Sequence, residues 1–274
     1  MKDRDIVVAI LAKDKSYCLE FYLHCLLKQT FDKRRTHLYI RTNDNTDNTE
    51  EILESFIKHH GYKYGSVHYD NSSVNPELKE LGEHEWNYTR FEALARIRQD
   101  SIEYAIEKDC HYFVADCDNF ITPNTIESLY ADRHLGVVAP LLRKTWRDFY
   151  ANYHSVADEN GFIIEDEGYL PILYLKVRGK IAVDCVHCTY FISHSVLDEC
   201  SYIDGTERYE YAIFSLTLRH KNIPQYLDNT KFFGFLCHLG DEGTRENFDS
   251  FVQENWAEEY NAMLEGRASD SAPR

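Results

Sequence analysis

HYFVADCDNF, residues 111–120, sets an apolar run, Tyr112-Phe113-Val114-Ala115, directly against two carboxylates, Asp116 and Asp118, one residue apart. The run reads as a strongly apolar strand, and in open α/β sheets ligands collect beyond the carboxyl ends of the strands, where these two acids would stand. Acids at i and i+2, where strand alternation breaks into a turn, can converge on one hard divalent cation. Mn²⁺ or Mg²⁺ prefers oxygen ligands and bridges to phosphate oxygens. A helix cap with a solvated turn accounts for Thr122 or Asn124 better than for two acids abutting a core strand.

Working outward, Ile6–Ala12 reads as a buried strand, and residues 16–29 carry a helical stripe at Cys18, Leu19, Tyr22, Leu23, Leu26 and Leu27. Residues 36–46 give a second strand ending in a polar cluster, and Thr49 stands where it would cap the helix of residues 50–60. A third strand at 65–71 is followed by a polar, Pro-interrupted loop over Asn71–Asn87 and a helix over Tyr88–Lys108 that feeds the strand at 111. The order βαβαβαβ predicts a largely parallel sheet flanked by helices. Past Pro123 and its helix, residues 135–142, 148–153, 168–179, 181–194 and 232–236 read as strands, with one helix over 209–221. They would extend the same sheet, giving a single domain over 1–265, with a nucleotide-binding half (1–125) and an acceptor and catalytic half (126–265). The small, polar end, 266–274, reads as a frayed tail.

The chain has 274 residues, 43% hydrophobic and 14% aromatic, and a formal net charge of -16. That charge argues against a nucleic-acid or anionic-membrane partner, so an anionic ligand would need a metal or a few local Arg. The apolar run near the N-terminus is too short to span a bilayer, and nothing in it marks secretion, so a cytoplasmic location with reduced thiols is expected. Cys185, His187 and Cys188 form half of a zinc set, but no second CxxC exists and "VDCVHCTYF" alternates like a strand.

The apolar strand, Asp-Cys-Asp and following turn resemble the DxD site of GT-A glycosyltransferases, which bind nucleotide-sugar donors through a divalent metal. "AILAKDK" (9–15), "RTNDNTDNTEEIL" (41–53), "HYFVADCDNFITPNTIESL" (111–129), "GVVAPLL" (136–142) and "VHCTYFIS" (186–193) resemble, in the same order, segments of the collagen-type galactosyltransferases of glycosyltransferase family 25. That branch has members in animals and large DNA viruses, and the likeness spans residues 6 to 236. It implies a metal-dependent, inverting transfer of galactose or glucose from a UDP-sugar to a protein or glycan hydroxyl, hydroxylysine of a collagen-like protein among them.

By the same resemblance the donor would meet Ala12, Lys13, Thr42, Asn43, Asp44 and Asn45, with Asp44 serving either as a ribose or base contact or as an Asx-turn acceptor. Arg98 would reach the diphosphate, unless it is a solvated helix-surface residue. Asp116, Cys117 and Asp118 would form the metal and ribose site. His238 would add a late metal ligand or be an exposed strand-end residue, and the Gly-rich segment after it would suit a lid. The family carries a pair of Asp at the start of its last major helix, and here Glu210 and Tyr211 stand there. Glu210 is thus the candidate base or a first-turn acid. Trp86, Trp146, Phe149, Tyr150 and Tyr153 would line the sugar site or belong to the core. Two other readings stay open: a nucleotidyltransferase, against which the Gly-free "LAKDKSYC" counts, and a family member that binds donor without turnover.

Overall fold

The computed structural model describes residues 3–74, 87–145, 148–237, 239 and 244–270. The first half alternates as its hydrophobic pattern requires: β1 (Ile6–Ala12), α1 (Leu19–Leu27), β2 (Thr36–Thr42), α2 (Thr49–His60), β3 (Ser66–Asp70), α3 (Tyr88–Glu107), β4 (His111–Ala115). β5 (Asn119–Ile121), α4 (Thr125–Ala131) and β6 (Val137–Pro140) follow. The second half holds shorter pieces: β7 (Tyr153–His154), β8 (Val156–Ala157), β9 (Ile163–Ile164), α5 (Tyr169–Leu173), β10 (Lys180–Val183), β11 (Cys185–Val186), β12 (Thr189–Ile192) and α6 (His194–Leu197). It closes with α7 (Glu210–His220), β13 (Gln225–Asp228), β14 (Gly234–Leu236), α8 (Arg245–Asn255) and α9 (Ala257–Asp270).

Both halves contribute to one eight-stranded sheet, ordered β10-β13-β6-β12-β4-β1-β2-β3. β1 pairs parallel with β2 and β4, and β2 with β3, whereas β12 runs antiparallel between β4 and β6. Successive strand residues alternate between two cores. Val8, Ile10 and Phe113 face α1, α8 and α9, while Val7, Ala9, Tyr112 and Val114 face α3 and α7. Six of the nine α1 residues are buried, more than one stripe, because α9 and Trp256 just before it cover its second side: Phe21 meets the Trp256 and Tyr260 rings edge-on at 5.8 and 5.6 Å.

Two expectations are corrected. Residues 168–179 form the short helix α5 instead of a strand; Pro171 has no N–H for a ladder but fits a helix's first turn, where that donor would lack a partner. The strand expected over 181–194 is split into β10, β11 and β12, with a sharp reversal at Cys188, whose φ is 63°. α9 extends through Asp270, and residues 271–274 lie outside the described residues. Most of the Asn71–Asn87 loop lies outside the described residues, as do Trp86, Trp146, His238 and the Gly-rich segment after it. Among the described residues no helix is long and apolar enough to cross a membrane.

Candidate functional site

Because β1, β2 and β4 run parallel, their carboxyl ends open on the same edge, and the loops that leave them are bonded to one another. The β4 end is held from three sides. The Tyr22 hydroxyl donates to the Ala115 carbonyl (3.0 Å), the Asp116 N–H to the Cys188 carbonyl (2.8 Å), and the Asn119 N–H to the Asp116 carbonyl (2.8 Å), closing a tight turn. β5 then pairs with β14, and the Cys237 N–H donates to the Asp118 carbonyl at 2.7 Å. Gly234 permits this: its φ is 141°, and a Cβ there would lie 1.9 Å from the Phe120 carbonyl oxygen.

The loops after β1 and β2 interlock. The Asp14 N–H donates to Asn45 Oδ1 (3.0 Å), the Lys15 N–H to Thr49 Oγ1 (2.8 Å) and the Ser16 N–H to Asp47 Oδ2 (2.9 Å). Thr49 therefore anchors the neighbouring loop; it does not cap α2, whose Thr49 N–H is bonded by Asp47 Oδ1. Lys13 donates to the Asp44 carbonyl (3.2 Å), Asn45 Nδ2 to Thr42 Oγ1 (2.7 Å), and the Ser73 hydroxyl to Asp44 Oδ2 (3.0 Å). Asp44 has a φ of 48°, so backbone strain is retained at the tip. Ala12 and Asn43 are buried beneath.

Each carboxylate of the Asp-Cys-Asp segment meets a cation. Asp118 Oδ2 lies 2.8 Å from Lys15 Nζ, and Asp116 Oδ1 lies 2.9 Å from Arg98 Nη2. Arg98 also faces Glu210 Oε1 at 3.5 Å, so it bridges the end of β4 and the first turn of α7. Its guanidinium is buried, with Nη1 unbonded among the described residues. The expectation that it lies solvated on the helix surface is corrected: α3 points it inward, between two acids. Burial pulls the Arg98 pKa down, but Asp116 more than reverses this and leaves it well above its ordinary value. Burial raises Glu210 above the usual carboxylate range, with Arg98 opposing.

Cys117 stands between the two acids. Its thiol donates to the Leu11 carbonyl and its carbonyl accepts from the Cys18 thiol, both at 3.4 Å, so both groups face the core. Beside Asp116, the Cys188 thiol lies 2.8 Å from His187 Nδ1 and bonds the Asp116 carboxylate; burial first, then Asp116, holds its pKa far above a reactive thiol's. Burial next to His154 pushes His187 down to about 3. The Tyr211 ring lies 5.5 Å from the His187 ring and stacks on Tyr209 at 5.6 Å. Of the aromatic candidates, Tyr153 is core, whereas Phe149 and Tyr150 are exposed.

Lys15 and Cys188 were not foreseen as site residues. Lys15 is two positions past Lys13 in the same loop, and no spacing distinguishes which of them meets an acid 103 residues away. Among the described residues no group of three or more His, Cys, Asp or Glu is gathered to hold a metal. Two carboxylates are nonetheless oxygen donors of the kind a hard divalent cation takes. His238 follows Cys237, which is bonded to Asp118, but itself lies outside the described residues.

Residues 3–253 match the model of "Glycosyltransferase family 25, N-terminal domain". The chain is 29% identical over 243 residues to procollagen galactosyltransferase 2 of Homo sapiens, covering 84% of this chain and 38% of that protein. It is 29% identical over 190 residues to inactive glycosyltransferase 25 family member 3 of Mus musculus, covering 69% and 32%. It thus spans about two fifths or less of the length of these relatives. In fold it is similar to GalNAc-T7 solved with UDP, GalNAc and Mn²⁺ (TM-score 0.55, 13% identity, 99% of this chain and 52% of that one). A likeness of TM-score 0.54 and 14% identity links it to S. aureus TarS 1-349 in complex with UDP-GlcNAc, covering 94% and 69%. Both neighbours support the wound, mostly parallel GT-A architecture.

Proposed function

The chain belongs to glycosyltransferase family 25, and from that premise we propose that it transfers a hexose, galactose or glucose, from a UDP-sugar to a hydroxyl with inversion. The observation that carries this is the Arg98 bridge, which ties Glu210 of the second half to Asp116 of the first. The interlocked loops at Lys13 and Asn43 to Asn45 would receive the nucleoside, in the 1–125 half, and residues 126–265 would present the acceptor. Asp118 and Asp116, with His238, would hold Mn²⁺ or Mg²⁺, which would neutralise charge on the departing diphosphate.

Glu210 would take the proton from the acceptor hydroxyl as its oxygen bonds to the anomeric carbon, while the bond from that carbon to the diphosphate breaks and its electron pair leaves with UDP. A carboxylate lifted above its usual range by burial suits this task, since its basicity moves toward working pH. The relatives' names suggest hydroxylysine of collagen-like proteins as one acceptor.

A panel of UDP-sugars with Mn²⁺, read by UDP release, tests the reading. One donor should be consumed, Asp118→Ala should abolish turnover, and Glu210→Gln should keep UDP binding while slowing transfer about 100-fold or more. No consumed donor, or full turnover by Asp118→Ala, overturns it. A second reading, donor binding without turnover, is favoured by Tyr211 at the second position of the family's acid pair and by the relatives named inactive. It predicts UDP-sugar binding by calorimetry with no UDP released.

A further inference from the structure

We propose that Lys15 is a resident counter-ion of Asp118, displaced when the divalent cation binds and then available to the donor's diphosphate. The two cations of the site differ. Arg98 is buried and held by a second acid, Glu210, so it cannot leave Asp116 without stranding both carboxylates. Lys15 has one acid partner among the described residues, its side chain is 31% exposed, and its other polar contact is the Tyr17 hydroxyl at 3.4 Å.

The Lys15 backbone is fixed on both sides. Its N–H is bonded to Thr49 Oγ1, and its carbonyl accepts from the Cys18 and Leu19 N–H groups at 3.0 and 2.9 Å. Motion is therefore confined to a flexible four-carbon stem ending in a compact ammonium. An ammonium bonded to Asp118 Oδ2 competes with a divalent ion for the same carboxylate and repels it at short range, so each weakens the other's hold. A diphosphate arriving with the ion gives the released ammonium a new anionic partner. Cation and UDP should therefore each tighten the other's binding.

The inference rests on the function proposed above and is tested by calorimetry with Mn²⁺ alone, and with UDP at saturating Mn²⁺. Lys15→Met should bind Mn²⁺ alone roughly threefold to tenfold more tightly than the parent. It should bind UDP roughly tenfold more weakly when Mn²⁺ is saturating. Lys15→Gln, which keeps a polar end without the charge, should repeat both shifts if Lys15→Met folds poorly. Loss of packing alone would weaken both ligands together, so the opposite signs are diagnostic. Mn²⁺ affinity unchanged or reduced, or UDP affinity unchanged, overturns the role of Lys15. Mn²⁺ binding that is absent, or identical in Asp118→Asn, overturns the proposed metal site and this inference together.

Discussion

Replacing Arg98 with Met removes the cation that bridges Asp116 and Glu210 while keeping an apolar stem of similar length in α3. Removing one partner of a buried ion pair costs about 3–5 kcal/mol. The Asp116 side chain is 29% exposed and can rehydrate, whereas Glu210 cannot, so a loss of about 2–4 kcal/mol is expected. At about 2 °C per kcal/mol for a chain of this size, the melting temperature at pH 8 should fall by about 4–8 °C. The pH dependence carries the argument. The folded Glu210 pKa already lies above its unfolded value, so its charge costs stability above the folded pKa, and the cost fades as pH falls toward the unfolded value. Losing Arg98 raises the folded value further. The gap between variant and parent should therefore narrow from pH 8 to pH 5 as Glu210 takes up its proton. Melting curves at four pH values check this, and adding Glu210→Gln to Arg98→Met should recover about half of the pH 8 loss. An equal gap at pH 5 and pH 8, with no recovery in the double variant, would refute the bridge.

Gly234→Ala should cost more than about 3 kcal/mol, because its Cβ collides with the Phe120 carbonyl at 1.9 Å and must open the β5–β14 pair. UDP affinity should fall with it, since the same pair carries the Cys237–Asp118 bond. Asn152→Ala should lower the urea midpoint with the m-value unchanged, at about 2–4 kcal/mol. The fully buried amide donates to the Pro140 carbonyl and accepts from the Leu142 N–H, both at 2.8 Å. If Glu210 is the base, kcat should rise with pH through its raised pKa, and Glu210→Gln should lose that acid limb; an unchanged pH–rate profile would remove Glu210 from the chemistry.

The architecture was legible wherever burial leaves a long repeating signature. α1, α2 and α3 follow from period-3.6 spacing and β1, β2 and β4 from short apolar runs that end in polar turns, and the GT-A reading followed from their order together with the wording around Asp116. In the second half strands of two to four residues are too short to display a period, and a helix of five residues around Pro171 is hidden in an apolar run. The break at Cys188 had no local signal, since a positive φ at a non-glycine residue is imposed by the Cys188–Asp116 backbone bond and its surroundings.

The amino-acid sequence by itself determined that a strongly apolar strand delivers two acids to the ligand edge of a wound sheet, because that information is local to ten residues. Only the tertiary structure decided what those acids meet. Arg98 turns inward to join Asp116 to Glu210, Lys15 covers Asp118, and Cys117 faces the core. These pairings bring together residues 18 to 112 positions apart, and a charge's partner is chosen by how helices and loops pack over the sheet edge, which no spacing along the chain records.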